Sequence, residues 1–137
     1  MIQNKALMTT LGWRECVSLP GLGVNQIKVK VDTGAKNSAL HASNINLLKK
    51  SGEEWLSFDI YLDQNKINTK RSCMARSMGC RWVTNSGGKR EKRFVIETPI
   101  RIGDKEWPII ITLSKREQMQ FRMLLGRTAI KGKYVVD

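Results

Sequence analysis

A chain of 137 residues is the size of one domain, or of one half of a symmetric dimer. Its 41% hydrophobic and 26% charged residues exclude wholesale disorder, a collagen-like repeat and a coiled-coil rod. Twenty-four Lys and Arg stand against twelve Asp and Glu, and the resulting +12 favours an anionic partner: nucleic acid, an acidic membrane surface or an acidic peptide.

Residues 1–10 hold one Lys and no long apolar stretch, so they do not read as a secretory signal. No apolar run approaches the ~20 residues of a membrane-spanning helix. A cytoplasmic location without membrane attachment is the expectation, and it keeps Cys16, Cys73 and Cys80 as reduced thiols.

Residues 13–19 form the first candidate strand, stopped by Pro20 and Gly21. Residues 26–31 alternate, with Ile27, Val29 and Val31 on one face and Lys28 and Lys30 on the other, the pattern of a half-buried strand. Residues 55–62 alternate too, placing Leu56, Phe58, Ile60 and Leu62 together. Residues 63–81 show no clear period; they are assigned no role, though a flap over a cleft has room there. Residues 80–84 and 93–98 flank Asn85-Ser86-Gly87-Gly88, a hairpin turn. Residues 100–102 and 107–113 flank Gly103-Asp104-Lys105, a second hairpin. Two short helices are expected, over 115–120 and 127–131. Many short strands with closely spaced turns predict a single all-β domain, a barrel or a sandwich, over residues 1–137.

The segment richest in chemistry is Val29-Lys30-Val31-Asp32-Thr33-Gly34-Ala35. An apolar strand runs straight into Asp-Thr-Gly. A carboxylate at a strand end, followed by a small hydroxyl residue and a glycine, suits a tight loop that presents the acid. Gly34 permits close backbone approach, and Thr33 can bond to nearby backbone. Taken alone, the tripeptide also fits an ordinary turn in which Asp32 caps a backbone amide.

Near the C-terminus stand Met123-Leu124-Leu125-Gly126-Arg127 and then Thr128-Ala129-Ile130. Two apolar residues, a glycine and a short helix are what retropepsin-like aspartic peptidases place beside an Asp-Thr-Gly loop. Leu124 and Leu125 also read simply as a core strand. Gly12-Trp13-Arg14-Glu15, Leu19-Pro20, the run from Ile27 to Lys36, Ser38-Ala39-Leu40-His41-Ala42 and the run from Phe121 to Arg127 together resemble a bacterial retropepsin-like aspartic peptidase family. That family is often labelled "ATP-dependent zinc protease". The resemblance extends from about Gly12 to Asp137, with weaker matches at Cys73, Arg81, Ser86, Arg93 and Thr98.

The resemblance implies a single-lobed acid-protease β-barrel with one or two short helices. One lobe supplies one acid where the chemistry needs two, so it also implies a homodimer with Asp32 of each chain at the two-fold axis. Two carboxylates at close range share one proton. One Asp32 would then act as general base on a water, and the protonated partner would donate to the scissile carbonyl oxygen. Thr33 would buttress the dimer, and Gly34 would line the substrate channel. Ala35, Lys36, His41, Arg122 and Arg127 are the expected substrate contacts. Retropepsins usually carry an acidic residue after Asp-Thr-Gly-Ala that pairs with the Arg of Gly-Arg. Here that position is Lys36, so Arg127 must find another partner or serve an anionic ligand.

The residues do not fit the family label. No phosphate-cradling Gly-x-x-x-x-Gly-Lys-Ser/Thr is present, and one histidine with three cysteines at no standard spacing makes no zinc site. No cofactor and no metal are expected. His41 reads either as a cleft residue or, preferably, as a packed and hydrogen-bonded histidine between Leu40 and Ala42.

Members of this family are linked with ATP-grasp ligases that add amino acids, including glutamate tails on a ribosomal protein. The resemblance therefore implies an acidic peptide as substrate, drawn to basic residues over roughly a Debye length, ~8 Å. Lys36, Arg76, Arg81, Arg93, Arg122 and Arg127 are the candidate anion contacts. For Lys89, Arg90, Lys92 and Arg93 a solvated hairpin tip is the commoner fate, so Arg122 and Arg127, in the motif that should flank the acid loop, are the preferred contacts. The alternatives are a non-catalytic barrel that binds an anionic peptide or RNA, and an inert domain. RNA is the less favoured partner, because four dispersed Trp make no base-stacking motif.

Overall fold

The computed structural model describes residues 9–12, 14–62, 69–84, 87–115, 121–132 and 134–136. Among the described residues, eleven strands and one short helix follow in chain order: β1 (Thr9–Leu11), β2 (Arg14–Leu19), β3 (Val24–Asp32), β4 (Ser38–His41), β5 (Ser43–Lys50), β6 (Glu53–Tyr61), β7 (Lys70–Thr84), β8 (Arg90–Ile102), β9 (Lys105–Ser114), β10 (Met123–Gly126), α1 (Arg127–Ile130) and β11 (Tyr134–Val136). A 3-10 turn at Pro20–Leu22 joins β2 to β3, with Gly23 left-handed at φ 72. β1 and β11 pair in parallel.

The main sheet runs β2-β3-β10-β4-β9-β8-β7-β6-β5. Ser18 of β2 pairs back onto Arg101 of β8, and this closes six strands into a barrel. The architecture is thus the closed all-β barrel that the resemblance implies, and alternation within the strands places its core. Ile27, Val29 and Val31 point inward while Lys28 and Lys30 stay in water.

β10 lies between β3 and β4. It is parallel to β3 (Leu125 opposite Val31, Gly126 opposite Asp32) and antiparallel to β4 (Leu124 opposite Ala39). Two strands joined by the acid loop are therefore bridged by a third from the far end of the chain. The three strands form a ψ-shaped unit, and it fixes Asp32 beside Gly126.

β7 serves two sheets. Lys70 to Arg76 pair with β6, and Ser77 to Thr84 pair with β8. The change falls at a register shift between Ser77 and Cys80, where Gly79 sits at φ 88 and its N–H bonds the Ser77 hydroxyl. β5, β6 and the first half of β7 then fold over the barrel. Leu56, Phe58, Ile60, Cys73 and Ala75 on their inner face belong to the same core as the barrel strands.

Several elements differ from the sequence reading. Residues 93–98 and 100–102 form one strand, not two, because Pro99 lies opposite Pro108 within the β8–β9 ladder. Both expected hairpins therefore share β8. Residues 43–50 form an edge strand that the alternation did not reveal, since most of their side chains are exposed. The 127–131 helix is observed as α1. Residues 116–120 of the other helix, Trp13 at the start of the first strand, and Asn85 and Ser86 of the first turn lie outside the described residues. Within residues 63–81, residues 70–81 are strand and 63–68 lie outside. No helix among the described residues is long and apolar enough to cross a membrane.

Candidate active site

Asp32 ends β3, half-buried, and Thr33 and Gly34 after it are exposed. The loop is tied by its own atoms. Asp32 Oδ1 accepts the Gly34 N–H at 3.0 Å, and the Asp32 carbonyl accepts the Ala35 N–H at 3.1 Å. The Asx turn expected for Asp-x-Gly is present, and it orients the carboxylate.

The second half of the site holds this loop from the side. Arg127 N–H donates to the Ala35 carbonyl at 2.8 Å, and Thr128 donates to the Lys36 carbonyl through both N–H (3.3 Å) and Oγ1 (2.7 Å). Gly126 N–H donates to the Ser38 hydroxyl at 3.0 Å. A Cβ on Gly126 would stand 2.5 Å from the Asn37 carbonyl oxygen and 2.9 Å from that of Lys36, so only glycine fits. Arg127 Nη1 donates to the Gly34 carbonyl at 3.2 Å. With Lys36 in place of an acid, the arginine bonds loop backbone instead of a carboxylate.

Asp32, Thr33, Gly34, Ala35, Lys36 and Arg127 are therefore brought together. His41 and Arg122 are placed elsewhere. They sit at the opposite end of β10, where the His41 N–H donates to the Arg122 carbonyl at 2.9 Å. Their side chains are only 6% and 8% exposed, and Arg122 Nη1 lies 2.7 Å from His41 Nδ1. A guanidinium can only donate, so Nδ1 accepts and the imidazole proton sits on Nε2. At about 3.3 Å per residue, the four steps from Arg122 to Gly126 separate this pair from the acid loop by roughly 13 Å. Among the other cations, Arg93 is buried against Glu91 and exposed Arg76 pairs with Glu53 at 3.3 Å. Lys89, Arg90, Lys92 and Arg81 are exposed on the β7–β8 hairpin.

Sequence reasoning did not single out Ala39 and Leu124 as candidates. They lie directly opposite each other on the face of the ψ unit that carries Asp32, and both are half-buried among buried neighbours. The signal was available in the pairing of two apolar motifs, but only the register reveals it.

Of the thiols, Cys73 is buried, and Cys16 and Cys80 are exposed. Burial, with the Asp59 carboxylate adding and Arg71 opposing, pushes the Cys73 thiol up to about 11. No group of three or more His, Cys, Asp or Glu among the described residues could hold a metal ion.

Residues 10–137 match the RimB-like family of retropepsin-like aspartic endopeptidases. The chain belongs to that family. It is also 42% identical, over 93% of its length, to a protein of Desulfotalea psychrophila named "Probable alpha-L-glutamate ligase". A Shewanella pealeana protein of the same name is 40% identical over the whole chain. The chain spans only 27% and 29% of these two relatives, so most of each lies outside the shared domain. Among solved structures, a Legionella pneumophila protein of unknown function superposes with a TM-score of 0.79 at 29% identity, covering 94% of this chain and 92% of that one.

Proposed function

We propose that the chain is one half of a homodimeric aspartic peptidase that shortens acidic, glutamate-rich peptides. The observation that carries this reading is the acid loop. Asp32 is fixed by the Gly34 N–H and by the ψ unit, yet the loop remains at the surface with Thr33 exposed. A single carboxylate does not complete the chemistry of this family. A second copy meeting the first at Thr33 would supply the partner acid.

In that dimer the two Asp32 carboxyls share one proton. The ionised one takes a proton from a water as that water attacks the scissile carbonyl. The protonated one donates to the carbonyl oxygen, and as the C–N bond breaks the first Asp32 passes the proton it took from water to the leaving amine, while a hydroxyl proton of the tetrahedral species returns to the second. Arg127 and Lys36 hold and flank the loop. The name of the relatives, a glutamate ligase, supports glutamate-rich peptide as the substrate, and the +12 charge suits it.

The test is mass spectrometry of a glutamate-tailed peptide incubated with wild type and with Asp32→Asn, alongside sedimentation to measure the dimer. Shortening by the wild type alone, from a dimeric protein, is expected. A strictly monomeric protein that leaves the peptide intact would overturn the reading. A second reading follows from the relatives' name: the domain holds an acidic peptide without cutting it. Salt-sensitive binding that survives Asp32→Asn, with no shortening by wild type, would establish it.

A further inference from the structure

The face of the barrel that carries the acid also carries a cationic row. Along β3, side chains alternate, so Lys30 and Lys28 share the side of Asp32 while Val29 and Val31 point into the core. The ladder then fixes their neighbours. Lys30 lies opposite Arg14 of β2 on one side and opposite Leu124 of β10 on the other, and Leu124 lies opposite Ala39 of β4. The row Arg14–Lys30–Leu124–Ala39 crosses four strands, one step below Asp32 and Gly126. Its first two members, on β2 and β3, are cationic and exposed, and its last two, on β10 and β4, are apolar and half-buried.

Distances follow from strand geometry. Two residues along a strand span about 6.6 Å, and cross-strand neighbours lie about 5 Å apart. The Lys30 ammonium can therefore reach the side chain of a residue whose carbonyl sits at Asp32. Lys28 and Lys30 make no ion pair among the described residues, and the pairs Arg76–Glu53, Arg93–Glu91 and Arg101–Glu106 lie elsewhere. Glu15, next to Arg14 in sequence, sits opposite Val29 and bonds the Gly12 N–H.

We propose that Lys30, flanked by Arg14, is a specificity-determining residue that receives a carboxylate side chain beside the scissile bond, with Leu124 and Ala39 packing on its methylenes. This rests on the peptidase reading and deepens it. A floor of two small or medium apolar side chains fits a two-carbon stem, and an ammonium at its open end fits the acid at the tip. The same position filled by a neutral apolar residue would give an ordinary hydrophobic subsite.

The test compares three peptides that share one body and carry a tail of Glu, Gln or Lys. Wild type, Lys30→Gln, Lys30→Glu and the control Lys92→Glu are assayed for kcat/KM, with a thermal melt of each. Lys92 is exposed on the β7–β8 hairpin, so its replacement changes net charge as much as Lys30→Glu does. Wild type is expected to prefer the Glu tail over the Gln tail by about 10-fold, and Lys30→Gln to bring that ratio near one. Lys30→Glu should turn the preference toward the Lys tail, and Lys92→Glu should keep the wild-type ratio. Cleavage with the same ratios in Lys30→Glu as in wild type overturns this inference and leaves the peptidase reading standing. If wild type cleaves no tail, that reading fails instead, and the subsite is judged by binding of the same peptides to Asp32→Asn. There, adding Lys30→Glu should weaken the Glu tail about 10-fold, and unchanged binding overturns the subsite.

Discussion

Gly126→Ala separates a steric account of the site from a conformational one. Gly126 sits at φ −84 and ψ 169, a region open to alanine, so the backbone itself does not object. The added methyl would meet Asn37 O at 2.5 Å, Asn37 C at 2.6 Å and Lys36 O at 2.9 Å. All three are backbone atoms, and no rotamer relieves them. The acid loop and β10 must part by at least about 0.5 Å to reach tolerable contact. That movement strains the bonds from Arg127 and Thr128 to the Ala35 and Lys36 carbonyls. Overpacking of this kind costs about 1–3 kcal/mol, and with no flexible partner the upper end applies. For a chain of this size, about 3 kcal/mol lowers the melting temperature by roughly 9 °C. Gly23→Ala is the comparison: Gly23 lies at φ 72 with nothing within 4 Å of its Cβ, so it incurs only the left-handed strain of about 1 kcal/mol. The assay is a thermal melt of both variants with cleavage of the glutamate-tailed peptide. Gly126→Ala should melt well below Gly23→Ala and lose activity measured below either melt. Wild-type melting or wild-type activity in Gly126→Ala would refute the close-approach argument.

Asp32→Asn should abolish cleavage, more than 1,000-fold by the logic of removing a group needed in the transition state, while its amide oxygen still accepts the Gly34 N–H and the melt stays within about 2 °C. His41→Ala should destabilise by about 2–3 kcal/mol, because it strips a hydrogen-bond acceptor from the buried Arg122 guanidinium; chemical denaturation reads this, and kcat/KM of the remaining folded protein should change little. Cys16 and Cys80 should alkylate readily near neutral pH and Cys73 only on unfolding, as mass spectrometry after a short iodoacetamide pulse would record. The raised Cys73 value carries a sign. Between about pH 9 and 11 the unfolded thiol ionises while the folded one stays protonated, so its effect is to lower stability as pH rises through that window. Cys73→Ser should flatten that slope.

The parts of the fold legible in sequence were those where one face is buried and the other is wet. β3 and β6 alternate for this reason, and Leu56, Phe58 and Ile60 were found because their neighbours Ser57 and Asp59 face outward. β5 was hidden because it is an edge strand with few buried positions. β8 was cut in two because proline normally breaks a strand, and only the pairing of Pro99 with Pro108 shows how the ladder accommodates it. The acid loop and the Gly-Arg turn were legible as motifs, and their contact was implied by resemblance. His41 lies a few residues from the acid loop in sequence and Arg122 a few from Gly126, yet both are far from the acid in space. The reason is that β4 runs antiparallel to β10: Ser38 starts beside Gly126, and each step along β4 leads away from the acid.

Lys36 after the acid loop and the lysines of β3 point to one electrostatic arrangement. An acid after Asp-Thr-Gly-Ala would hold Arg127 and place a second carboxylate near the substrate. Here Lys36 occupies that position, and Arg127 is held by the Gly34 carbonyl, which accepts a hydrogen bond without adding charge. On the strand side, the exposed Lys28 and Lys30 share the face of Asp32, away from the core. Neither change stabilises the barrel: exposed lysines near one another repel, and a carbonyl holds a guanidinium less strongly than a carboxylate does. What both changes do is set the Asp32 carboxyl in a positive surround. A neutral or basic peptide gains nothing from such a surround, whereas each carboxylate of an acidic peptide gains at every cation it passes. Raising salt from 50 to 500 mM should therefore weaken the Glu-tail reaction through KM while leaving kcat nearly unchanged, because the Debye length falls from about 14 to 4 Å and screens the steering charges before the contact at Asp32. A salt effect confined to kcat would locate the cations' influence in the chemistry and not in substrate capture.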